Sequence, residues 1–352
     1  MDPITHMAVG AAVGEALLGK KIGNKAPVYG ALAAFIPDLD VLFGLFLHPV
    51  DYLSIHRGFT HSIFFPFLLA PFLAYWAYKK NKDKEVPLKQ WFWFFVAVII
   101  SHPLIDIMTG YGTQFFYPIS RYAIELNTIF IIDPLFTIPL LVGIIYILVS
   151  KRARTKRTKI NYTVLGISFS YLMLTVVFKL FAMQAFYSAI ERDNIQYERM
   201  RTFPGPFASF FWRGLIETED GYYEGYHSLF GSARDIEFHF IPRNEHKIKE
   251  IKDSYAVGEL LWFSKGYYHI STNEKGNLVF NDLRFGSYLG FMGDYSDFIF
   301  SFKILKNKPD QPYPISFNQE VGSFSVSASD LRKYFLTAWG RKESHLVATP
   351  DN

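Results

Sequence analysis

The side chains that can bind a metal are concentrated in four short motifs within the first 106 residues. The motifs supply imidazole and carboxylate groups, which together suit a divalent metal such as zinc. Each motif lies in or beside strongly apolar sequence, where ionisable side chains are costly and functional by default. The motifs are Thr5-His6, Pro37-Asp38-Leu39-Asp40, His56-Arg57-Gly58-Phe59-Thr60-His61-Ser62 and Ser101-His102-Pro103-Leu104-Ile105-Asp106.

The histidines have spacings that fit a metal site, and each also has a simpler role open to it. His56 and His61 are five residues apart in a polar loop, so both can meet one metal or merely touch lipid headgroups. His102 and Asp106 are four residues apart and share one helix face. That spacing is common for metal ligands and equally suits a hydrogen-bonded pair within the membrane.

The carboxylates complete the predicted ligand set. Asp38 and Asp40 repel each other unless a cation or proton lies between them, although a kinked helix end with water-exposed aspartates explains them too. Without any cysteine, the metal must be held by His, Asp or Glu. We therefore predict one or two divalent ions, most suitably zinc. The predicted ligands are His6, Asp38, Asp40, His56, His61, His102 and Asp106.

A divalent metal in this setting favours hydrolysis, because it supplies hydroxide at neutral pH. A carboxylate not used as a ligand, Asp38 or Asp40, is the candidate general base. Arg57 lies between the two histidines of its motif and can hold an anionic oxygen with two hydrogen bonds, or simply pair with an aspartate. Asp133 is either a further ligand or a helix cap, and Arg284 reaches the site or forms a salt bridge in a turn.

The composition indicates a membrane protein with a second, soluble domain. Of the 352 residues, 50% are hydrophobic and only 19% are charged, against about 25% charge in an ordinary soluble domain. The low charge falls in residues 1–185, where we predict a helical integral membrane domain with about five or six apolar helices. Residues 186–352 are predicted to form an α+β, mainly β, domain. The apolar stretches are residues 6–19, 26–47, 62–78, 89–109, 129–150 and 160–182.

The basic residues predict how these helices are oriented. The net charge of +4 is modest, and lysine and arginine gather in loops between apolar stretches, which indicates membrane topology rather than nucleic-acid binding. Residues 20–25, 79–84 and 151–159 are therefore predicted to be cytoplasmic. Following the chain from these loops puts every candidate ligand near the outer face and delivers the C-terminal domain to the outside.

The distal domain shows local signals for strands and one helix. Apolar runs at residues 260–263, 267–272, 278–282 and 298–304 are typical of strands. Asn273-Glu274-Lys275-Gly276 predicts a hairpin turn between two of them. Residues 327–336 predict a late helix, with Ser329 or Asp330 as its cap.

The four motifs, followed by Gly112-Thr113, resemble the YdjM-like family of membrane-bound metal-dependent hydrolases. The resemblance covers about the first 180 residues. It implies a multi-pass protein of the bacterial or archaeal cytoplasmic membrane. A more distant similarity is to zinc-dependent phospholipase C, for which His6, Asp38, His56 or His61, His102 and Asp106 would be counterparts in kind. The later histidine and glutamate ligands of that enzyme's three-zinc site have no match here, which favours one or two ions.

The sequence thus predicts a membrane metallohydrolase that cleaves a phosphoester in a lipid or lipid-linked substrate, with no nucleic-acid partner. Two alternatives belong to other classes: a transporter, or a metal-binding regulatory protein without hydrolytic activity. Intramembrane carboxylates and histidines also serve as ion relays. A transporter often has repeated halves and a site at the midplane, and neither feature is evident here. The oligomeric state is left open.

Overall fold

The computed structural model describes residues 1–150, 155–307, 311–320 and 327–341. These residues form two compact units. The first consists of Met1–Phe46 and Ile55–Val176, and it carries all the candidate ligands. The second consists of Leu47–Ser54 and the described residues from Val177 onward.

The N-terminal half of the chain is helical. Short 3-10 segments follow α2 and precede α4, at Ile36–Leu45 and Phe59–His61. The helix α7 continues from the first unit into the second. The helices are α1 (Pro3–Ile22), α2 (Lys25–Phe35), α3 (Pro49–Ile55), α4 (Phe65–Lys80), α5 (Leu88–Asp106), α6 (Pro134–Val149) and α7 (Arg157–Arg192).

Fewer of these helices can cross a membrane than the sequence predicted. Within the described residues, Lys25–Leu45, Leu88–Asp106 and Arg157–Arg192 are long and apolar enough. The bent pair Pro49–His61 and Phe65–Lys80 brings the number to four if it counts as one span. The described residues thus hold three or four candidate spans, fewer than the five or six apolar helices that the sequence predicted. With 16 residues, α6 reaches only about 24 Å, short of the ~30 Å hydrocarbon core.

The first two helices form an antiparallel hairpin packed through small residues. Gly23 turns the chain with φ +63° and donates its N–H to the Gly19 carbonyl. Gly10 and Gly30 lie where the two backbones meet: a Cβ on Gly30 would lie 2.1 Å from the Gly10 carbonyl oxygen. Small residues permit such close helix contacts in membrane proteins. The hairpin therefore returns the end of α2 to the beginning of α1, which sets Asp38 near His6.

Lysines and candidate metal ligands lie at different ends of the helices in the first unit. Lys20 and Lys21 lie in the last turn of α1, and Lys79 and Lys80 lie in the last turn of α4. His6 lies at the opposite end of α1. His6 and these lysines therefore lie at opposite ends of the helices, while the predicted membrane orientation stays a prediction.

The second unit is rich in sheet, and the strand pairs among its described residues are antiparallel. The sheets found in this part of the chain have the strand orders β1-β2-β3-β4, β10-β9-β6-β5 and β7-β8. The strands are β1 (Arg199–Gly205), β2 (Ala208–Glu217), β3 (Gly221–Ser228), β4 (His239–Pro242), β5 (Tyr268–Thr272), β6 (Leu278–Asp282), β7 (Ser287–Leu289), β8 (Asp294–Phe298), β9 (Ser301–Lys306) and β10 (Ile315–Glu320).

The local predictions for this unit were partly right. The hairpin at residues 273–276 is confirmed, because β5 and β6 pair directly across it. The late helix is confirmed as α9 (Ala328–Ala338), although Ser327 is its cap and Asp330 completes the capping box. Residues 260–263 are helical instead of extended, within α8 (Tyr255–Phe263). The helix begins after its cap, Ser254, which lies six residues before the apolar run that was read as a strand.

Candidate metal centre

Five of the predicted ligands converge at one end of the first unit. Two overlapping groups bring donor atoms within 4.8 Å of one another, and His102 belongs to both. The four residues other than Asp38 are buried, with at most 1% of their surface exposed. The first group is His6, Asp38 and His102, and the second is His61, His102 and Asp106. This cluster can hold a metal ion.

The spacing of the second group matches a tetrahedral metal site. His61 Nε2 and His102 Nε2 are 3.1 Å apart. Asp106 Oδ2 lies 3.5 Å from the former and 3.3 Å from the latter. Ligands at 2.0–2.1 Å from a tetrahedral zinc are about 3.3 Å from one another. Asp38 Oδ1 lies 3.6 and 3.4 Å from the same two nitrogens, but Asp38 is grouped with His6 and His102 and not with Asp106.

Hydrogen bonding prepares His102 for this role. Its Nδ1 lies 2.7 Å from the carbonyl oxygen of Ala34, in the last turn of α2. A carbonyl oxygen only accepts, so Nδ1 carries the proton and Nε2 keeps its lone pair for a metal. The ring of His6 stacks on His102, with 3.5 Å between the ring centroids. The Ala34 carbonyl has no sequence signal, because any residue supplies one.

The hydrogen bonding of the cluster is incomplete within the part of the chain that the structure describes. Among the described residues, His6 Nδ1, Asp38 Oδ2 and Asp106 Oδ2 are buried without a hydrogen-bond partner. Buried polar atoms are nearly always paired, so unpaired ones need an explanation such as a bound ion. The other oxygen of Asp106 contacts the Met1 amino group and the His6 imidazole. The donor set therefore fits a divalent cation.

Asp40 and His56 lie outside both groups of candidate ligands, and their side chains are hydrogen-bonded to each other. His56 Nδ1 is 2.9 Å from Asp40 Oδ1. Asp40 Oδ2 accepts hydrogen bonds from the Arg57 backbone N–H at 2.8 Å and from the Thr60 hydroxyl at 3.2 Å. The same oxygen is 3.5 Å from His61 Nδ1, on the opposite side of that ring from the metal-facing nitrogen. Asp40 thus fixes the loop and orients His61.

Two further polar residues have structural partners. Asp133 caps α6, accepting from the backbone N–H groups of Leu135 and Phe136. Its second oxygen accepts from the Tyr171 hydroxyl at 2.9 Å. Arg284 forms a buried ion pair with Asp282 at 2.6 Å, which is the turn salt bridge that the sequence left open. Sequence reasoning gave Thr60 no role, although it lies within the motif.

These features define a class of protein: a membrane protein with candidate spanning helices and a buried His/Asp cluster that can hold a metal ion. A model of the YdjM inner membrane protein family matches residues 1–184, and the chain belongs to that family. The resemblance drawn from the four motifs is thereby confirmed. The distant similarity to zinc-dependent phospholipase C stays a prediction.

Two relatives show how far the similarity extends. The chain is 33% identical over 144 residues to the uncharacterized protein YfhP of Bacillus subtilis, covering 38% of this chain and 42% of the relative. It is 34% identical over 130 residues to the inner membrane protein YbcI of Escherichia coli, covering 33% of this chain and 66% of the relative. The chain thus spans less than two thirds of either relative. No solved structure gives a significant match.

Proposed function

We propose that this protein is a membrane-bound, metal-dependent hydrolase that cleaves a phosphoester in a lipid or lipid-linked substrate. The observation that carries the proposal is the triangle of His61 Nε2, His102 Nε2 and Asp106 Oδ2, with edges of 3.1, 3.3 and 3.5 Å. Nitrogen and oxygen donors at this spacing favour zinc. A bound divalent ion would lower the pKa of a water to about 7.

One ion is the better fit to the donors. His102 belongs to both groups, and with its Nδ1 bonded to the Ala34 carbonyl it offers one lone pair, which serves a single metal. The cluster contains three carboxylates, those of Asp38, Asp40 and Asp106, against two cations, the Arg57 guanidinium and the Met1 amino group, both paired with Asp106. A divalent cation offsets this excess of negative charge. We therefore propose His61, His102 and Asp106 as ligands, with Asp38 or His6 completing the set.

Asp38 is the better candidate for general base. Both oxygens of Asp40 are hydrogen-bonded within the loop, so that carboxylate is less available to a substrate than Asp38. Asp38 has 12% of its side chain exposed, and its Oδ2 makes no hydrogen bond with a described residue. A carboxylate in that position can accept the proton of a water beside the metal.

The surroundings support a substrate with an apolar tail. Asp38 lies in the 3-10 segment Ile36–Leu45, which is part of a candidate span. The same segment exposes Leu42, Phe43 and Leu45. In a membrane these side chains would face hydrocarbon, so the site borders lipid. A lipid or lipid-linked phosphoester can then present its phosphate to the metal without leaving the bilayer.

Metal content and activity test the proposal together. Protein purified in detergent should contain about one divalent ion per chain by mass spectrometry. It should hydrolyse a member of a panel of phospholipids and lipid-linked phosphates. Chelation should abolish the activity and zinc should restore it, because the water would lose its activating ion. Absence of metal would refute the site, whereas bound metal without hydrolysis would favour a transporter or a metal-binding regulatory protein.

We also propose that the metal centre and the second unit face outward from the cytoplasmic membrane, with the lysine ends of the helices inside. The chain lacks cysteine, so a single introduced thiol can be labelled selectively. A membrane-impermeant maleimide applied to intact cells should label Lys275→Cys and spare Lys82→Cys; both positions are exposed. After lysis, both should react. Labelling of Lys82→Cys alone in intact cells would indicate the opposite orientation.

A further inference from the structure

Arg57 is held beside the metal cluster in a way that ion pairing alone does not explain. Its backbone adopts φ +54°, a left-handed conformation that is strained for a residue with a side chain. The conformation is fixed from both sides: the N–H donates to Asp40, and the carbonyl accepts from the Gln114 N–H at 3.1 Å. Strain that neighbouring residues maintain in this way is typical of functional positions.

The guanidinium is buried and only partly satisfied. The side chain is 9% exposed. Nη1 lies 3.3 Å from Asp106 Oδ1 as an ion pair, yet neither Nε nor Nη1 makes a hydrogen bond with a described residue. The plane stacks over the ring of Tyr111, with Cζ 4.5 Å from the centroid. Tyr111 thus fixes the plane of the guanidinium while its N–H groups stay available.

We propose that Arg57, stacked on Tyr111, forms an oxyanion subsite that binds the phosphoryl oxygens of the substrate next to the metal. The fork of Nε and an Nη matches two oxygens of a phosphoryl group, whereas a single carboxylate oxygen engages one N–H. A metal held by Asp106 Oδ2 would draw negative charge from that carboxylate and so weaken the ion pair of Oδ1 with Arg57, which would leave the guanidinium available to the substrate. This inference rests on the proposed hydrolase function and narrows its substrate to a group with at least two anionic oxygens.

Calorimetry with zinc-loaded protein, dialysed free of excess metal, tests the subsite without relying on turnover. Inorganic phosphate and short-chain phosphatidic acid are the probes. Arg57→Gln should weaken binding of the better probe about 10- to 100-fold, because the amide can replace only one of the two hydrogen bonds to the charged group. Arg57→Lys should fall between, since it keeps the charge without the fork. Arg332→Gln, an exposed arginine in α9, is the matched control and should bind like the wild type.

The two sources of the phosphoryl group are distinguished by the same titrations. Tighter binding of phosphatidic acid than of phosphate identifies a lipid headgroup, and the reverse identifies a free phosphate. Metal content must be measured for every variant. Unchanged zinc content with weakened probe binding supports the subsite. Equal binding by Arg57→Gln and wild type would overturn it, as would loss of zinc from Arg57→Gln, which would make Arg57 a structural partner of Asp106.

Failure of the subsite and failure of the hydrolase give different results. If Arg57→Gln cleaves phosphoesters as fast as the wild type, the proposed hydrolase function is supported and the Arg57 subsite is refuted. If phosphate binding depends on Arg57 but no phosphoester in the panel is cleaved, the Arg57 subsite is supported and the proposed hydrolase function is refuted.

Discussion

His102→Ala is expected to abolish metal binding, with zinc affinity reduced by more than about 100-fold. His102 belongs to both donor groups, and its Nε2 lies within 3.4 Å of three other candidate ligands. Loss of an outer hydrogen-bond partner of a ligand already costs about 10- to 100-fold, and loss of the ligand itself should cost more. Any hydrolytic activity should disappear with the metal, while the protein stays in the membrane.

Two further variants make this experiment specific. His246→Ala changes an exposed histidine of the second unit and should leave the zinc affinity unchanged. Asp40→Asn should weaken zinc binding by about 10- to 100-fold, because it replaces the carboxylate that orients His61 without removing a proposed ligand. His102→Gln keeps a polar side chain of similar length in case the alanine variant unfolds. Full zinc affinity in both His102 variants would show that the metal centre lies elsewhere.

Gly10→Ala is expected to destabilise the protein by about 1–3 kcal/mol and to weaken metal binding as well. The new Cβ would lie 2.3 Å from Ala34 Cβ and 2.6 Å from the Gly30 carbonyl oxygen, so the two helices must separate. Ala34 also supplies the carbonyl that holds His102 Nδ1. Displacing that helix therefore disturbs the ligand geometry directly. Thermal unfolding and zinc titration in detergent measure the two effects.

Gly166→Ala is the matched control within the same unit. A Cβ added at Gly166, in α7, meets no atom within 4 Å. Alanine is also the better helix former, so this variant should be as stable as the wild type or more stable by about 0.5–1 kcal/mol. If Gly10→Ala behaved like Gly166→Ala in both measurements, close packing of the hairpin would not determine the geometry of the metal ligands.

The positions of the helices were largely readable from the sequence, but the number of spans was not. Every predicted apolar stretch contains or overlaps a helix, since long apolar runs are a local property. Whether a helix crosses the bilayer depends on its final length and on where its charges fall. Glu15 in α1 forms a buried pair with Arg157, so that helix carries charge in its middle. The three strands of residues 199–228 were not among the strands predicted from the sequence.

By itself, the sequence determined the chemistry available to this protein. The donor types, the absence of cysteine and the polarity of lysines along the helices are properties of composition and local order, and they predicted a His/Asp cluster at one end of the helices. Only the tertiary structure decided which members of the set face one another. His6 and Asp106 are 100 residues apart and lie 3.1 Å from each other. Asp38 and Asp40 are two residues apart, yet one faces the imidazole nitrogens and the other binds the loop. Long-range packing of the helices fixes such distances, and no local pattern encodes them.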